Sequence, residues 1–217
     1  MNRVFLQIGC FLAGLGLIGA LFLPFSALGQ VAGSVPFTSQ APQGNWGSPW
    51  KDYCEEASVV MAAHFMWRMP LSPEIADFEM GLIRQFEIAA FGRWRDTGIE
   101  ETADILRRLY GFSGIKTTLI ASPEDMKKEL SAGKIIIAPT AGRLLKNPYF
   151  TPPGPLYHMV VIRGFDEEKQ AFIVNDPGTR RGEGLRYPTD VLFYAIHDLH
   201  DGDILQGEKR VMIVGRK

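Results

Sequence analysis

Two adjacent stretches near the C-terminus constrain the fold most. Tyr157-His158-Met159-Val160-Val161-Ile162-Arg163-Gly164-Phe165 is the strongest strand pattern in the chain. Lys169-Gln170-Ala171-Phe172-Ile173-Val174-Asn175-Asp176 follows after only Asp166-Glu167-Glu168. Two β-rich runs joined by so short a polar connection form an antiparallel hairpin. The start of the first strand then faces the end of the second. The pairing predicts that His158 and Asp176 meet at one end of a sheet. Taken singly, each has a plainer reading: His158 as a satisfied ring starting a core strand, and Asp176, before Pro177 and Gly178, as a turn former.

Upstream of the hairpin the patterning is mostly helical. Apolar positions recur at helical spacing from Cys54 and predict a helix to about Met69, before Pro70. Ser72-Pro73-Glu74 opens a second, with Ser as N-cap and Pro at the first helical position. It runs through Phe91, with a break suggested at Gly81. A third covers Gly98 to Leu109, ahead of Gly111. A fourth starts at Ser122-Pro123 and ends at Gly133. Strands are predicted at Val35–Phe37, Ile115–Ile120, Lys134–Pro139 and Arg210–Val214, the last closing the sheet, and a short helix at Pro188–Ile196. Helices first and an antiparallel sheet after them define an α+β domain.

Residues 4–23 are almost wholly apolar, follow Arg3 and end at Pro24. Ala27-Leu28-Gly29 then offers small residues of the kind a signal peptidase reads. The run is also long enough to cross a bilayer. Residues 1–29 are thus a signal peptide or a membrane anchor, and both readings keep Arg3 inside and put residues 30–217 on the extracytoplasmic side. The formal net charge of −1 becomes −2 once Arg3 is set aside. That balance, with short scattered basic clusters, gives no case for nucleic acid. The two cysteines, Cys10 and Cys54, fall in separate segments and make no useful disulfide. No cofactor motif and no zinc spacing is present. His197, His200 and their neighbouring aspartates read as a polar loop.

Cys54 stands where a Pro/Gly/Trp-rich loop gives way to the first helix. A helix N-terminus favours a thiolate, and the thiolate is the nucleophilic form. Glu55 and Glu56 follow at once and oppose that ionisation. If the N-terminus of this helix packs against the end of the sheet holding His158 and Asp176, thiol, imidazole and carboxylate form a nucleophile–base–orienting acid series. The backbone N–H of Cys54 and a side-chain amide from the preceding loop, Gln40 with Gln43 behind it, then face the oxyanion. The plainer reading of Cys54 is a small buried hydrophobe. His64, three helical turns away, is too remote to serve it and reads as a packed histidine. Trp46 and Trp50 line a groove or cover the core.

Val35-Pro36-Phe37-Thr38-Ser39-Gln40, Cys54 opening a helix, His158 to Phe165, and Asn175-Asp176-Pro177 together resemble the papain-like cysteine peptidases of the bacteriocin-processing type. The chain is most similar to their stand-alone, family 39-like relatives, which lack a transporter. The resemblance runs from Val35 to the C-terminus. It implies a papain-like fold with N-terminal helices packed on a C-terminal antiparallel sheet. It also implies Cys54 as nucleophile, His158 as base, Asp176 as orienting acid, Gln40 at the oxyanion hole, and a peptide or protein as substrate. Glu55 stands where the family usually has Gly, and the loop between Gln40 and Cys54 is longer than in papain. Three functions follow as alternatives: hydrolysis of peptides, cell-wall amidase or transpeptidase chemistry with the same residues, and peptide binding without catalysis.

Overall fold

The computed structural model describes residues 34–216, so the apolar N-terminal segment and its signal-or-anchor reading lie outside the described residues. The elements are α1 (Cys54–Trp67), α2 (Pro73–Phe91), α3 (Ile99–Arg108), β1 (Ile115–Leu119), α4 (Pro123–Ser131), β2 (Ile135–Ala141), β3 (Tyr157–Asp166), β4 (Ala171–Asn175), β5 (Leu185–Pro188), α5 (Thr189–Ala195) and β6 (Arg210–Val214). The sheet has six strands in the order β1-β6-β2-β3-β4-β5, and all pairings are antiparallel. The α+β reading therefore holds. Among the described residues no helix is long and apolar enough to cross a membrane.

The α1 helix is the centre of the molecule. Twelve of its fourteen residues are buried, so it has no solvent face. Val59, Val60, Met61 and Phe65 each remove a large side chain from water, worth about 1.5–3 kcal/mol apiece. It packs with α2 and α3 against one sheet face, through Met159 and Val161 of β3. The opposite face, through Val160 and Ile162, is covered by α4 and α5. This alternation along β3 is the period-two pattern of a strand buried on both sides. Helices thus cover both faces of the sheet, α1–α3 on one and α4 and α5 on the other.

Four expectations about elements change. The Val35–Phe37 stretch forms no strand; Pro36 has no N–H to give a ladder, and the segment is held instead by the Asn175 side chain, whose Nδ2 donates to the carbonyls of Val35 and Pro36 at 3.4 and 3.3 Å. The α2 helix passes Gly81 unbroken. Strand β5 is an addition, a four-residue edge strand. Strand β6 does not close the sheet but inserts between β1 and β2.

The hairpin is as expected, with Val161 opposite Asn175 and Ile162 opposite Val174, then a bulge before Gly164. His158 enters β3 as its second residue, paired with Thr140 of β2. Asp176 follows the last residue of β4. Both lie at the sheet end where α1 begins.

Candidate active site

His158 and Asp176 meet. The ring Nε2 lies 2.7 Å from Asp176 Oδ1, with the residues 2% and 0% exposed. The carboxylate is held on every side. Oδ1 also accepts the Gly178 N–H at 2.9 Å. Oδ2 accepts from Asn147 Nδ2 at 2.9 Å and from the Tyr187 hydroxyl at 2.5 Å. Burial pushes the Asp176 pKa up, but the His158 charge and these donors outweigh it and hold the carboxyl below its usual range.

Asp176 therefore stays ionised and accepts from Nε2 of the ring, which leaves Nδ1 as the nitrogen for proton exchange with the thiol. The ring is boxed from two sides. Phe150 meets it edge to face, with centroids 5.3 Å apart. A Cβ on Gly178 would lie 2.9 Å from His158 Cε1 and 2.7 Å from Phe150, so only glycine fits there. Gly142 is similarly required beside the His158 Cβ, at 3.0 Å.

Cys54 and His158 wall the same cavity, of about 470 Å³, with Gln40 and Trp46. Cys54 is the first residue of α1 and is 6% exposed. Met159 of β3 packs in the same buried cluster as Cys54, which sets the start of the helix beside the start of the strand. The Cys54 thiol donates to Glu55 Oε2 at 3.0 Å, and Glu55 Oε1 accepts the Thr97 N–H at 3.1 Å. Burial pushes the Cys54 pKa well up, and the Glu55 charge and hydrogen bond push it further, with Asp96 adding to them; the Met159 N–H opposes. The helix N-terminus does not win here: the resting group is a thiol.

Gln40 sits in the cavity wall with its side chain turned to the loop. Its Nε2 donates to the carbonyls of Trp50 at 3.1 Å and Lys51 at 2.6 Å, which uses both of its N–H bonds. Gln43 is exposed and is not part of the wall. The tryptophans divide: Trp46 lines the cavity, while Trp50 packs on the core and donates to Asp77 Oδ1 at 2.6 Å. His64 is buried between the Pro70 carbonyl and Glu79, remote from this cavity. Asp198 accepts the N–H groups of Ile99 and Leu199, an anchor for the start of α3.

The acids behind the thiol are a surprise. Glu55 and Glu56 are each 2% exposed, not solvated as first-turn residues commonly are. Glu56 accepts the Trp94 indole N–H at 2.7 Å. Glu87 of α2 lies nearby with both carboxylate oxygens buried and unpartnered. Its pKa is pushed up to about 8, by burial first and then by Glu55 and Glu101. Burial likewise raises Glu55, with Glu56 adding to it, and raises Glu56, with Glu87 adding to it. The signal for Glu87 was in the sequence: Ala76, Met80, Ile83 and Glu87 share one helical stripe, so a carboxylate stands in an apolar row. Asn147, Phe150 and Tyr187 carried no such signal.

A sulfur, an imidazole held by a buried carboxylate and free backbone donors at a helix start, sharing one cavity, suit nucleophilic attack on an acyl group. The sequence profile of the Peptidase_C39 like family matches residues 33–196, and the chain belongs to that family. The crystal structure of a candidate C39-like peptidase from Bacillus anthracis is similar, with a TM-score of 0.58 over 87% of this chain and 98% of that one. At 14% identity that likeness bears on the fold, which is the papain-like one expected. No curated protein matches the sequence.

Proposed function

We propose that the chain is a cysteine peptidase that hydrolyses peptide bonds through an acyl-thioester on Cys54. The observation that carries this reading is the buried His158–Asp176 pair, whose ring opens on the cavity that also holds the Cys54 thiol. Because the resting thiol is neutral, proton transfer accompanies attack. His158 Nδ1 takes the thiol proton as sulfur bonds to the scissile carbonyl carbon. The oxyanion is received by the Cys54 N–H at the start of α1, where no earlier turn uses it. Gln40 joins by exchanging one of its two carbonyl contacts for the oxyanion. Collapse breaks the C–N bond, and His158 returns the proton to the departing amine. Water, deprotonated by the same ring, then hydrolyses the thioester. Asp176 holds the ring and stabilises the imidazolium without taking its proton.

The enzyme works on the extracytoplasmic side of the membrane, secreted or anchored, a reading supported by the apolar residues 4–23 behind Arg3. Peptide mixtures incubated with the full chain and with Cys54→Ala test the activity. New termini, identified by mass spectrometry, are expected with the first and not with the second; none with either would sink the peptidase reading. The Cys54–Glu55 hydrogen bond favours one competing reading, a peptide-binding domain without catalysis. That reading requires Cys54→Ala to be silent in every cellular and biochemical assay.

A further inference from the structure

A second recess adjoins the cavity of Cys54 and His158. It has a volume of about 380 Å³ and shares Trp46, Thr151 and Gly178 with the first. Its own wall adds Tyr149, Arg180 and Arg181, and no carboxylate lines it. Both arginines are held in place. Arg180 Nη2 donates to the Gly44 carbonyl at 3.0 Å, on the loop that carries Trp46. The Arg181 guanidinium lies over the Tyr149 ring, 5.3 Å from its centroid. A guanidinium keeps several donors after one such contact. The first cavity has the opposite bias, with Asp52 and Asp96 against Lys51.

Which side of the cleaved bond reaches this recess follows from the chemistry of the proposed peptidase reaction, on which the inference rests. The departing amine must take its proton from His158, so the leaving segment lies on the histidine side of the scissile carbon. Gly178 packs directly on the His158 ring and is also a wall of the second recess. The chain leaving past His158 therefore runs over Gly178 into the arginines. From this geometry we infer that Arg180 and Arg181 form an anion-selective subsite for the leaving segment, taking a carboxylate within the first few residues after the cleaved bond. Guanidinium groups bind carboxylates by paired charge-assisted hydrogen bonds, and Trp46 and Tyr149 supply apolar flanks for the stem. The carboxylate comes from an Asp or Glu side chain or from the C-terminus of a short leaving peptide.

Calorimetry with the full chain carrying Cys54→Ala separates these cases. The probes are pentapeptides of one Gly/Ser frame with a free amino terminus, carrying two Glu, two Gln or two Lys, each as C-terminal amide and as free acid. The Glu amide is expected to bind about tenfold more tightly than the Gln amide at low ionic strength, with the advantage shrinking as salt is added. Adding R180Q and R181Q, both on exposed side chains, removes that advantage while leaving the melting temperature in place. A Gln free acid matching the Glu amide assigns the carboxylate to the C-terminus and also supports the subsite. Equal affinity across the series, no measurable binding of any acidic peptide, or a Glu preference that survives R180Q/R181Q overturns the inference. Cleavage by the unmutated chain is read separately. Glu preference in binding with no cleavage of any peptide sinks the peptidase reading and with it the leaving-segment assignment, keeping only anion binding by the arginines; cleavage with no acidic bias after the cut overturns the subsite and keeps the peptidase reading.

Discussion

Burial raises the proton affinity of Cys54 first and Glu55 raises it further, and replacing Glu55 with Gln isolates the second effect. The side chain keeps its shape, and the amide oxygen still accepts the Thr97 N–H. What disappears is a negative charge 3.0 Å from the sulfur. At an effective dielectric of about 20, two unit charges at that separation repel by about 5.5 kcal/mol. That figure is a ceiling, because Glu55, Glu56 and Glu87 raise one another and part of the charge is already neutralised by shared protons. Keeping a quarter of it, about 1.4 kcal/mol, gives roughly tenfold more thiolate at a fixed pH at which Glu55 is ionised. The assay is the rate of iodoacetamide labelling of Cys54 from pH 5 to 9. Glu55→Gln is expected to label up to about tenfold faster than the unmutated chain on the alkaline side of the profile, where Glu55 carries its charge, with the two curves meeting at the acid end, where Glu55 is protonated. Unchanged or slower labelling would refute the idea that Glu55 holds the thiol proton.

Asp176→Asn keeps the shape of the carboxyl but loses its charge, so peptide cleavage is expected to fall by about 10² to 10⁴-fold with substrate affinity little changed, measured as kcat against KM. The low pKa of Asp176 also implies stability that is present above the ordinary carboxylate pKa and lost as pH falls through the depressed folded value; urea unfolding from pH 6 to 2 should show this loss and Asp176→Asn should lack it. Gly178→Ala places a methyl 2.9 Å from the His158 ring, so a roughly hundredfold loss of activity is expected with at most about 1–3 kcal/mol of destabilisation in a denaturant titration. For Glu87, whose folded pKa is raised to about 8, stability is complete below the ordinary Glu value and falls as pH rises from there to about 8. Glu87→Gln should match the unmutated chain near pH 4 and exceed it by a few kcal/mol at pH 9 in urea unfolding.

The parts of the fold that could be read from residues were those fixed by local chemistry. The hairpin pair and the placement of His158 and Asp176 needed only period-two patterning and a short polar connection. The Ser72 and Ser122 helix starts needed only Ser-Pro pairs, and Ser122 does form a capping box with Asp125. What was not legible depended on burial or on distant partners. Dipole reasoning puts Glu55 and Glu56 comfortably in a first turn, but it cannot say that α1 is central and that the turn is dry. Strand β6 looked like a last edge because it comes last, whereas its apolar run, four of five residues buried, suits an interior position. Tyr187 and Asn147 reach Asp176 from 11 and 29 residues away, and nothing in either local sequence marks a carboxylate partner. Gln40 was expected at the oxyanion hole; it lies in the cavity wall, and the turn carbonyls that occupy its amide arise only from the folded loop.

The most direct test of the whole account is active-site titration with a chromogenic acyl ester, read by the burst of released alcohol and by mass spectrometry of the acylated chain. The account requires a burst approaching one equivalent per chain, an acyl group on Cys54 as a thioester, and loss of the burst in His158→Ala. An acyl group elsewhere, or a Cys54 burst that proceeds undiminished without His158, would contradict it.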